Sequence, residues 1–280
     1  MMLIKQLKLM VPNFVKKFIL RCRYHMRARK FTGSQYFCTV CEHQLGSFIS
    51  LTEICNGKFI KDVDVNGTLH TVDGYETANV DSFLCPVCGS QDKARLFALF
   101  LNQKLGEIGQ RERITLVHFA PEGGLSQFLK WDQRLNYRSA DLFRDDVDDQ
   151  VDLTNMKIYK DKSIDAFICS HILEHILDDK AAVSELYRAL KVGGWGIVMV
   201  PILMTIDQTY EDITKVSDAE RLKHFGQEDH VRIYAKSDFL NLLMGAGFFV
   251  KQLGQDHFGK DVFEKNGLSK TNIIYVVEKR

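Results

Sequence analysis

Four of the seven cysteines fall into two C-x-x-C pairs, Cys38-Thr-Val-Cys41 and Cys85-Pro-Val-Cys88-Gly89. Thiolate pairs on tight turns suit a tetrahedral zinc ion, and two pairs fill its four positions, leaving none open for catalysis. A structural Zn²⁺ on Cys38, Cys41, Cys85 and Cys88 is therefore expected. Without it, the segment between the pairs is too short to bury a core of its own. A second constellation is His171-Ile-Leu-Glu174-His175. As a bare H-x-x-E-H it is the zinc signature of inverted metalloproteases. That chemistry needs both imidazoles on one helix, an open zinc position and a further ligand. Here the apolar run Ile164–Cys169 reads as a strand, so His171 is expected at a strand-to-helix turn, where the i, i+4 geometry fails. The motif reads instead as a pocket wall, with Glu174-His175 opening the next helix. A third stretch runs from Asp207-Gln-Thr-Tyr210-Glu-Asp212 to His224-Phe-Gly-Gln-Glu-Asp229-His230-Val-Arg232-Ile-Tyr234. Its density of His, Asp, Arg and Tyr is hard to explain as core. Histidine titrates near neutral pH and suits a general base. His230 with Asp229 or Arg232 is the first candidate for base or ligand contact, then His171, with His224 in the same stretch.

The elements that must position these groups alternate. Strands are predicted at Ile114–Phe119, Tyr137–Leu142, Val151–Leu153, Asp165–Ser170, Gly194–Pro201, Phe248–Leu253 and Asn272–Glu278. Helices are predicted at Gly124–Trp131, Lys180–Leu190 and, capped by Ser237, Asp238–Met244. Such alternation argues for an α/β domain with an open, mostly parallel sheet and helices on both faces. Ligands of such sheets bind beyond the carboxyl ends of the strands. The sites are expected at 119–124, 141–142, 152–154, 170–175 and from 201 onward. Upstream, Asp92–Gly109 reads as an apolar-rich helix, and Asn56-Gly57 and Asn66-Gly67 as hairpin turns.

Residues 1–30 hold nine Lys/Arg and no acid, while the other 250 carry 28 basic and 36 acidic side chains. The body is mildly acidic, which excludes a protein-wide nucleic-acid field. The arm has an apolar stripe (Leu3, Leu7, Met10, Val11, Phe14, Val15, Phe18, Ile19, Cys22) opposite its basic face, broken at Pro12. It is expected to dock on the protein's own body, to lie peripherally on an anionic membrane, or, less favoured, to touch RNA phosphates. With no signal peptide, no apolar span and reduced cysteine pairs, the chain is expected to be cytoplasmic, either free or peripheral at the inner face of the membrane through residues 1–30.

The ordered set Tyr137-Arg-Ser-Ala-Asp141-Leu, Asp152-Leu-Thr, Ser163-Ile-Asp165-Ala-Phe-Ile-Cys-Ser-His171-Ile-Leu-Glu-His175, Glu185-Leu-Tyr-Arg-Ala-Leu-Lys191-Val-Gly-Gly194 and Val198-Met-Val-Pro201 resembles class I S-adenosylmethionine-dependent methyltransferases of the type 11 group. The C-P-x-C-G, V-H-F-A-P-E and D-H-V-R stretches further resemble zinc-bearing bacterial members. The resemblance implies a Rossmann-like fold with a seven-stranded, mostly parallel sheet, the last strand antiparallel, and a small N-terminal zinc ribbon. It divides the chain into a basic helical arm (1–35), a zinc ribbon (36–91), a linking helix (92–112) and a methyltransferase domain (113–280). The cofactor S-adenosylmethionine would meet the loop of His118, Ala120, Pro121, Glu122 and Gly123. Asp141 and Leu142 would stand at its ribose, Asp152 and Leu153 at its adenine, and Ser170 and His171 along its methionine end. The loop departs from the family pattern: Ala120 and Glu122 stand where glycines are usual, so Glu122 is expected to take the ammonium group. The implied activity is methyl transfer to a small-molecule or glycan acceptor, at a hydroxyl. An RNA base acceptor, or a non-catalytic protein on the same fold, are the alternatives. The Asn-Pro-Pro-aromatic tetrapeptide of amino-group methylating enzymes is absent: strand five ends in Val200-Pro201-Ile202.

Overall fold

The computed structural model describes residues 13–55, 62–77, 79–108 and 112–280. The first part of the basic arm with Pro12, the Asn56-Gly57 turn and Gly109 lie outside the described residues. The centre is a seven-stranded sheet. Its strands are β5 (Ile114–Phe119), β6 (Leu135–Asp141), β7 (Asp149–Gln150), β8 (Ile164–Ser170), β9 (Leu190–Met199), β12 (Phe249–Leu253) and β13 (Ile274–Glu278). Their spatial order is β12-β13-β9-β8-β5-β6-β7, with β13 antiparallel to both neighbours and the other pairings parallel. This is the Rossmann-like, seven-stranded arrangement with an antiparallel last strand that the resemblance implies. The order reverses between β5 and β8, so that pair marks the switch point. Central strands are covered on both faces and need unbroken apolar runs. Leu116, Val117, Ala166, Phe167, Ile168, Cys169, Ile197 and Val198 are all fully buried.

Helices α3 (Asp92–Gly106), α4 (Gly123–Lys130), α5 (Asp179–Ala189) and α7 (Lys236–Gly245) pack against the sheet. Several boundaries differ from expectation. The third strand ends before Val151, because Val151 and Leu153 leave the sheet to bury in the core. Gly193-Gly194 sit inside β9 rather than introducing it. Gly193 has φ of 78°, and a Cβ on Gly194 would lie 2.8 Å from the Asp165 carbonyl, so the pair makes an irregularity in the strand. Ser237 does not cap α7: Ala235 holds that position, and the Ser237 hydroxyl donates to the Asp207 carbonyl at 3.3 Å. Glu174 and His175 do not open a helix. They lie in a 3₁₀ turn, Leu173–His175, and α5 starts afterwards, capped by Asp178, whose carboxylate accepts from the Ala181 N–H.

The N-terminal part contains α1 (Asn13–Ala28), the hairpin β1 (Tyr36–Cys38) and β2 (His43–Leu45), a helical turn α2 (Leu51–Ile54), and the hairpin β3 (Val63–Val65) and β4 (Thr68–His70). The Asn66-Gly67 turn has φ of 51° and 83°, the left-handed pair that such a hairpin requires. Cys38, Val40, Leu45, Phe48, Cys85 and Val87 share one continuous core with the central sheet. Arg95 of α3 ties the parts together. Fully buried, it stacks 3.9 Å over Phe48 and donates to the carbonyls of Ser82, Ser90, Asn266 and Gly267. The β3–β4 hairpin packs against α6 (Asp218–Phe225) through Val63, Val65 and Phe225, joined by Ile233 from the short antiparallel pair β10 (Tyr210–Glu211) and β11 (Arg232–Ile233), and Tyr75 bridges Leu203 just past β9. The end of α1 rests on the body: Tyr24 donates to Gln127 at 3.1 Å and Arg27 to the Val87 carbonyl at 3.3 Å. No helix among the described residues is long and apolar enough to cross a membrane.

Candidate functional site

The β5–α4 loop occupies one side of the switch point. Ala120 adopts φ of 45°, a conformation that glycine fills at no cost, held by its N–H on the Ala140 carbonyl at 2.8 Å. The loop thus keeps the shape of a glycine turn although the residue is alanine. Below it, His118 is fully buried and uses both ring nitrogens, one 2.7 Å from Glu122 Oε2 and the other 3.2 Å from the Tyr137 hydroxyl. His118 is therefore a brace under the loop, not a wall of the cleft. Burial works to raise the Glu122 carboxyl. The His118 hydrogen bond and the charge of Lys93 override it and hold the group at about 2. Its second oxygen, Oε1, is buried without a hydrogen-bond partner, 3.7 Å from Lys93 Nζ. Gly124 meets the cysteine knuckle: a Cβ there would lie 3.2 Å from Ser90 Cβ and 3.3 Å from the Cys88 carbonyl.

At the end of β6, Asp141 Oδ1 accepts from the Phe143 and Arg144 N–H groups, and Arg144 donates to the Pro121 carbonyl at 3.0 Å. The 141–144 loop is thereby tied to the β5–α4 loop, with Leu142 and Phe143 exposed. Asp152, past β7, accepts from the Thr154 N–H and hydroxyl. Across the switch point, Ser170 ends β8 with a buried hydroxyl that has no partner. His171 follows with φ of 55°, its N–H on the Met199 carbonyl at 2.8 Å.

Beyond β8 lies a cluster that the sequence did not assemble. His171 Nδ1 is 3.2 Å from Glu174 Oε1, without the alignment of a hydrogen bond. Glu174 is buried, and neither of its oxygens has a hydrogen-bond partner. His175 Nδ1 is 3.2 Å from Asp229 Oδ2, and the His175 and His230 rings meet edge-on with centroids 4.7 Å apart. Burial pushes the His230 imidazole below its ordinary range. The expected pairing of His230 with Asp229 or Arg232 is replaced: Asp229 serves His175, and His230 Nδ1 meets the Phe225 carbonyl at 3.1 Å. Arg232 is a buried clamp that contacts Asp179 and Glu211 and donates to the carbonyls of Leu173, Ile176 and Leu177. It fixes the 3₁₀ turn and is not available to a ligand. His224 lies apart, its Nδ1 2.7 Å from the Asp64 carbonyl of the β3–β4 hairpin. Sequence reasoning assigned Glu174 and His175 to a wall. Their joining with His230 had no local signal, because the contact is made across the fold.

The four thiols of Cys38, Cys41, Cys85 and Cys88 converge, with Sγ atoms 3.7 Å apart for Cys38 and Cys88 and 3.8 Å for Cys41 and Cys85. A tetrahedron with Zn–S of about 2.3 Å requires edges of about 3.8 Å, so the donor set fits the ion. Ser90 lies beside Cys38 and Cys88, its hydroxyl 3.1 Å from Cys88 Sγ.

Residues 129–198 match a family model described as a methyltransferase domain. The matched stretch runs from the end of α4 to the end of β9 and includes Asp141, Asp152, Ser170, His171, Glu174 and His175. No curated protein matches the chain. Among solved structures, a SAM-dependent methyltransferase from Archaeoglobus fulgidus is 13% identical, over 68% of this chain and 95% of that one, with a TM-score of 0.43. The [4+2]-cyclase SpnF is 15% identical over 65% of this chain and 80% of that one, with a TM-score of 0.42. The CurJ carbon methyltransferase is 12% identical over 66% of this chain, which spans 57% of its length, with a TM-score of 0.42.

Proposed function

We propose that the chain is an S-adenosylmethionine-dependent methyltransferase that methylates a hydroxyl of a small-molecule or glycan acceptor, with Zn²⁺ held by its four cysteines in a structural role. The observation that carries this reading is a pair of buried oxygens without hydrogen bonds at the switch point, Glu122 Oε1 on the β5 side, with Lys93 Nζ 3.7 Å away, and Ser170 Oγ on the β8 side. Buried polar groups without partners are rare, and two of them on opposite sides of the expected ligand crevice fit a polar ligand between the strands. Glu122, ionised, would hold the ammonium group of the cofactor, Asp141 its ribose and Asp152 its adenine. The bound cofactor supplies an electrophilic methyl group on a sulfonium.

The remaining work falls to the chain. Aligning an acceptor is worth about 7–11 kcal/mol in favourable cases, which a rigid strand-end site supplies without further charge chemistry. A hydroxyl acceptor must also lose a proton. His171 is the imidazole for that step: it stands at the end of β8, is 30% exposed on its side chain, and has the Glu174 carboxylate behind it. His230 is more deeply placed, its Nδ1 committed to the Phe225 carbonyl.

Calorimetric titration with S-adenosylmethionine tests the reading, followed by transfer of labelled methyl into fractionated cell extract. Micromolar binding and label in a polar small-molecule or glycan fraction are expected. Absence of binding below millimolar concentration overturns it, and label in RNA moves the acceptor to a base.

A further inference from the structure

Glu174, His175 and His230 each offer one ligand atom, and these atoms lie within 4.8 Å of one another. The surroundings prepare each of them for a cation. His230 Nδ1 sits 3.1 Å from the Phe225 carbonyl, which fixes the proton there and leaves Nε2 as an acceptor; that Nε2 is buried and has no partner. His175 Nδ1 is held at 3.2 Å by Asp229, which leaves its Nε2, on a partly exposed ring, as the free acceptor. An imidazole backed by a carbonyl or carboxylate is the usual outer shell of a histidine metal ligand. Glu174 is 1% exposed, and neither of its oxygens accepts a hydrogen bond. A carboxylate buried in that condition, with only the His171 ring 3.2 Å away, is costly to keep ionised unless a cation compensates it. The two segments are locked together beforehand: the Val231 N–H donates to the Glu174 carbonyl at 2.9 Å, and Arg232 clamps the carbonyls that follow.

We propose that Glu174, His175 and His230 bind one divalent transition-metal ion beyond the carboxyl end of β8. Two imidazoles and a carboxylate suit Zn²⁺, Fe²⁺, Co²⁺ or Mn²⁺, whereas Mg²⁺ and Ca²⁺ favour oxygen-only sets. Three protein ligands leave coordination positions open, in contrast to the four-thiolate cluster. The role of the ion rests on the methyltransferase reading. It holds the acceptor oxygen, and the acceptor class narrows to a hydroxyl able to bind a metal, such as one of a vicinal diol or an α-hydroxy carbonyl. On the ion the hydroxyl O–H bond breaks more readily, the electron pair staying on oxygen and the proton passing to His171.

The test is metal stoichiometry of the full chain, by elemental analysis after equilibration with Zn²⁺ and by Co²⁺ absorption. The expected result is about two equivalents of Zn²⁺ per wild-type chain and about one in Glu174→Gln and His230→Gln. Thiolate-to-cobalt charge-transfer bands should be unchanged in those variants. Asp229→Asn, at an exposed site, should fold and weaken the second site by about 10- to 100-fold. A wild-type chain that takes up only the thiolate-bound equivalent overturns the proposal, as does a second equivalent that survives in both variants. The readout does not use methyl transfer. A second metal without S-adenosylmethionine binding sinks the enzyme reading and spares the site, and the reverse result sinks the site alone.

Discussion

The cysteine knuckle and the Glu174–His175–His230 cluster are built on opposite plans. The knuckle closes on itself: four thiols at tetrahedral spacing, with Cys38 and Cys85 buried in the main core. The strand-end cluster is open, with His175 and His171 partly exposed and the Glu174 oxygens without hydrogen bonds. A closed set adds stability and offers a ligand nothing. An open set gives up stability for a place where a ligand completes the bonding. The two regions also meet, since Gly124 at the start of α4 lies against Ser90 and the Cys88 carbonyl. The knuckle therefore supports the loop that presents Glu122.

The contrast breaks most visibly at the cysteines. Cys85→Ser takes one thiolate from the proposed zinc site, whose whole binding energy is about 10–16 kcal/mol for structural zinc generally, and should leave the chain largely unfolded in near-UV circular dichroism at neutral pH. A cooperative unfolding transition at the wild-type temperature would show that the knuckle is an appendage. Glu174→Gln should behave in the opposite way. The charge it removes faces His171 at 3.2 Å and makes no hydrogen bond, so the chain should stay folded with a small change in melting temperature, while labelled methyl transfer falls by about 10-fold or more. A large loss of stability there would make the cluster structural.

Glu122→Gln comes next. It deletes a charge-assisted contact worth about 1.5–3 kcal/mol, so S-adenosylmethionine affinity by calorimetry should fall by about 10- to 100-fold. The same variant carries a pH signature. The Glu122 carboxyl is lowered from 4.5 to about 2 in the folded chain. Its contribution to stability is complete above the unfolded value and is lost as the pH falls from there through about 2. Denaturant melts should show wild type losing more stability than Glu122→Gln in that interval and no difference in slope near neutrality. The smallest effect is expected at Ala120→Gly, which relieves a left-handed alanine: a gain of about 1 kcal/mol in stability, with cofactor affinity unchanged. A destabilised glycine variant would mean that the Ala120 side chain is itself packed against something essential.

Much of this architecture can be read without coordinates, for identifiable reasons. The apolar runs of β5 and β8 need burial on both faces, and only central parallel strands provide it. The C-x-x-C pairs carry their geometry locally, in two tight turns, and so the four-cysteine cluster is legible from spacing. The strand-end positions of Asp141 and Ser170 follow from the same periodicity. Boundaries were less legible where side chains had two good uses: Val151 and Leu153 look like strand residues but bury after leaving the sheet, and Ser237 looks like a cap but bonds to Asp207. Roles were least legible for the charged residues. Arg232 and His118 have the composition of active-site groups, yet their partners are a set of carbonyls in one case and the underside of a loop in the other.

The amino-acid sequence by itself determined the sheet-forming segments, the cysteine set and the line of strand ends, because periodicity and short-range spacing are local properties of the chain. Only the tertiary structure decided what H-x-x-E-H means. The 3₁₀ turn at Leu173–His175 separates the two histidines of the motif from the helix they would need, and the partner that Glu174 and His175 find instead, His230, arrives from a distant segment held by Arg232. Side-chain convergence of that kind depends on how two loops pack, and packing is not encoded in the spacing of either one.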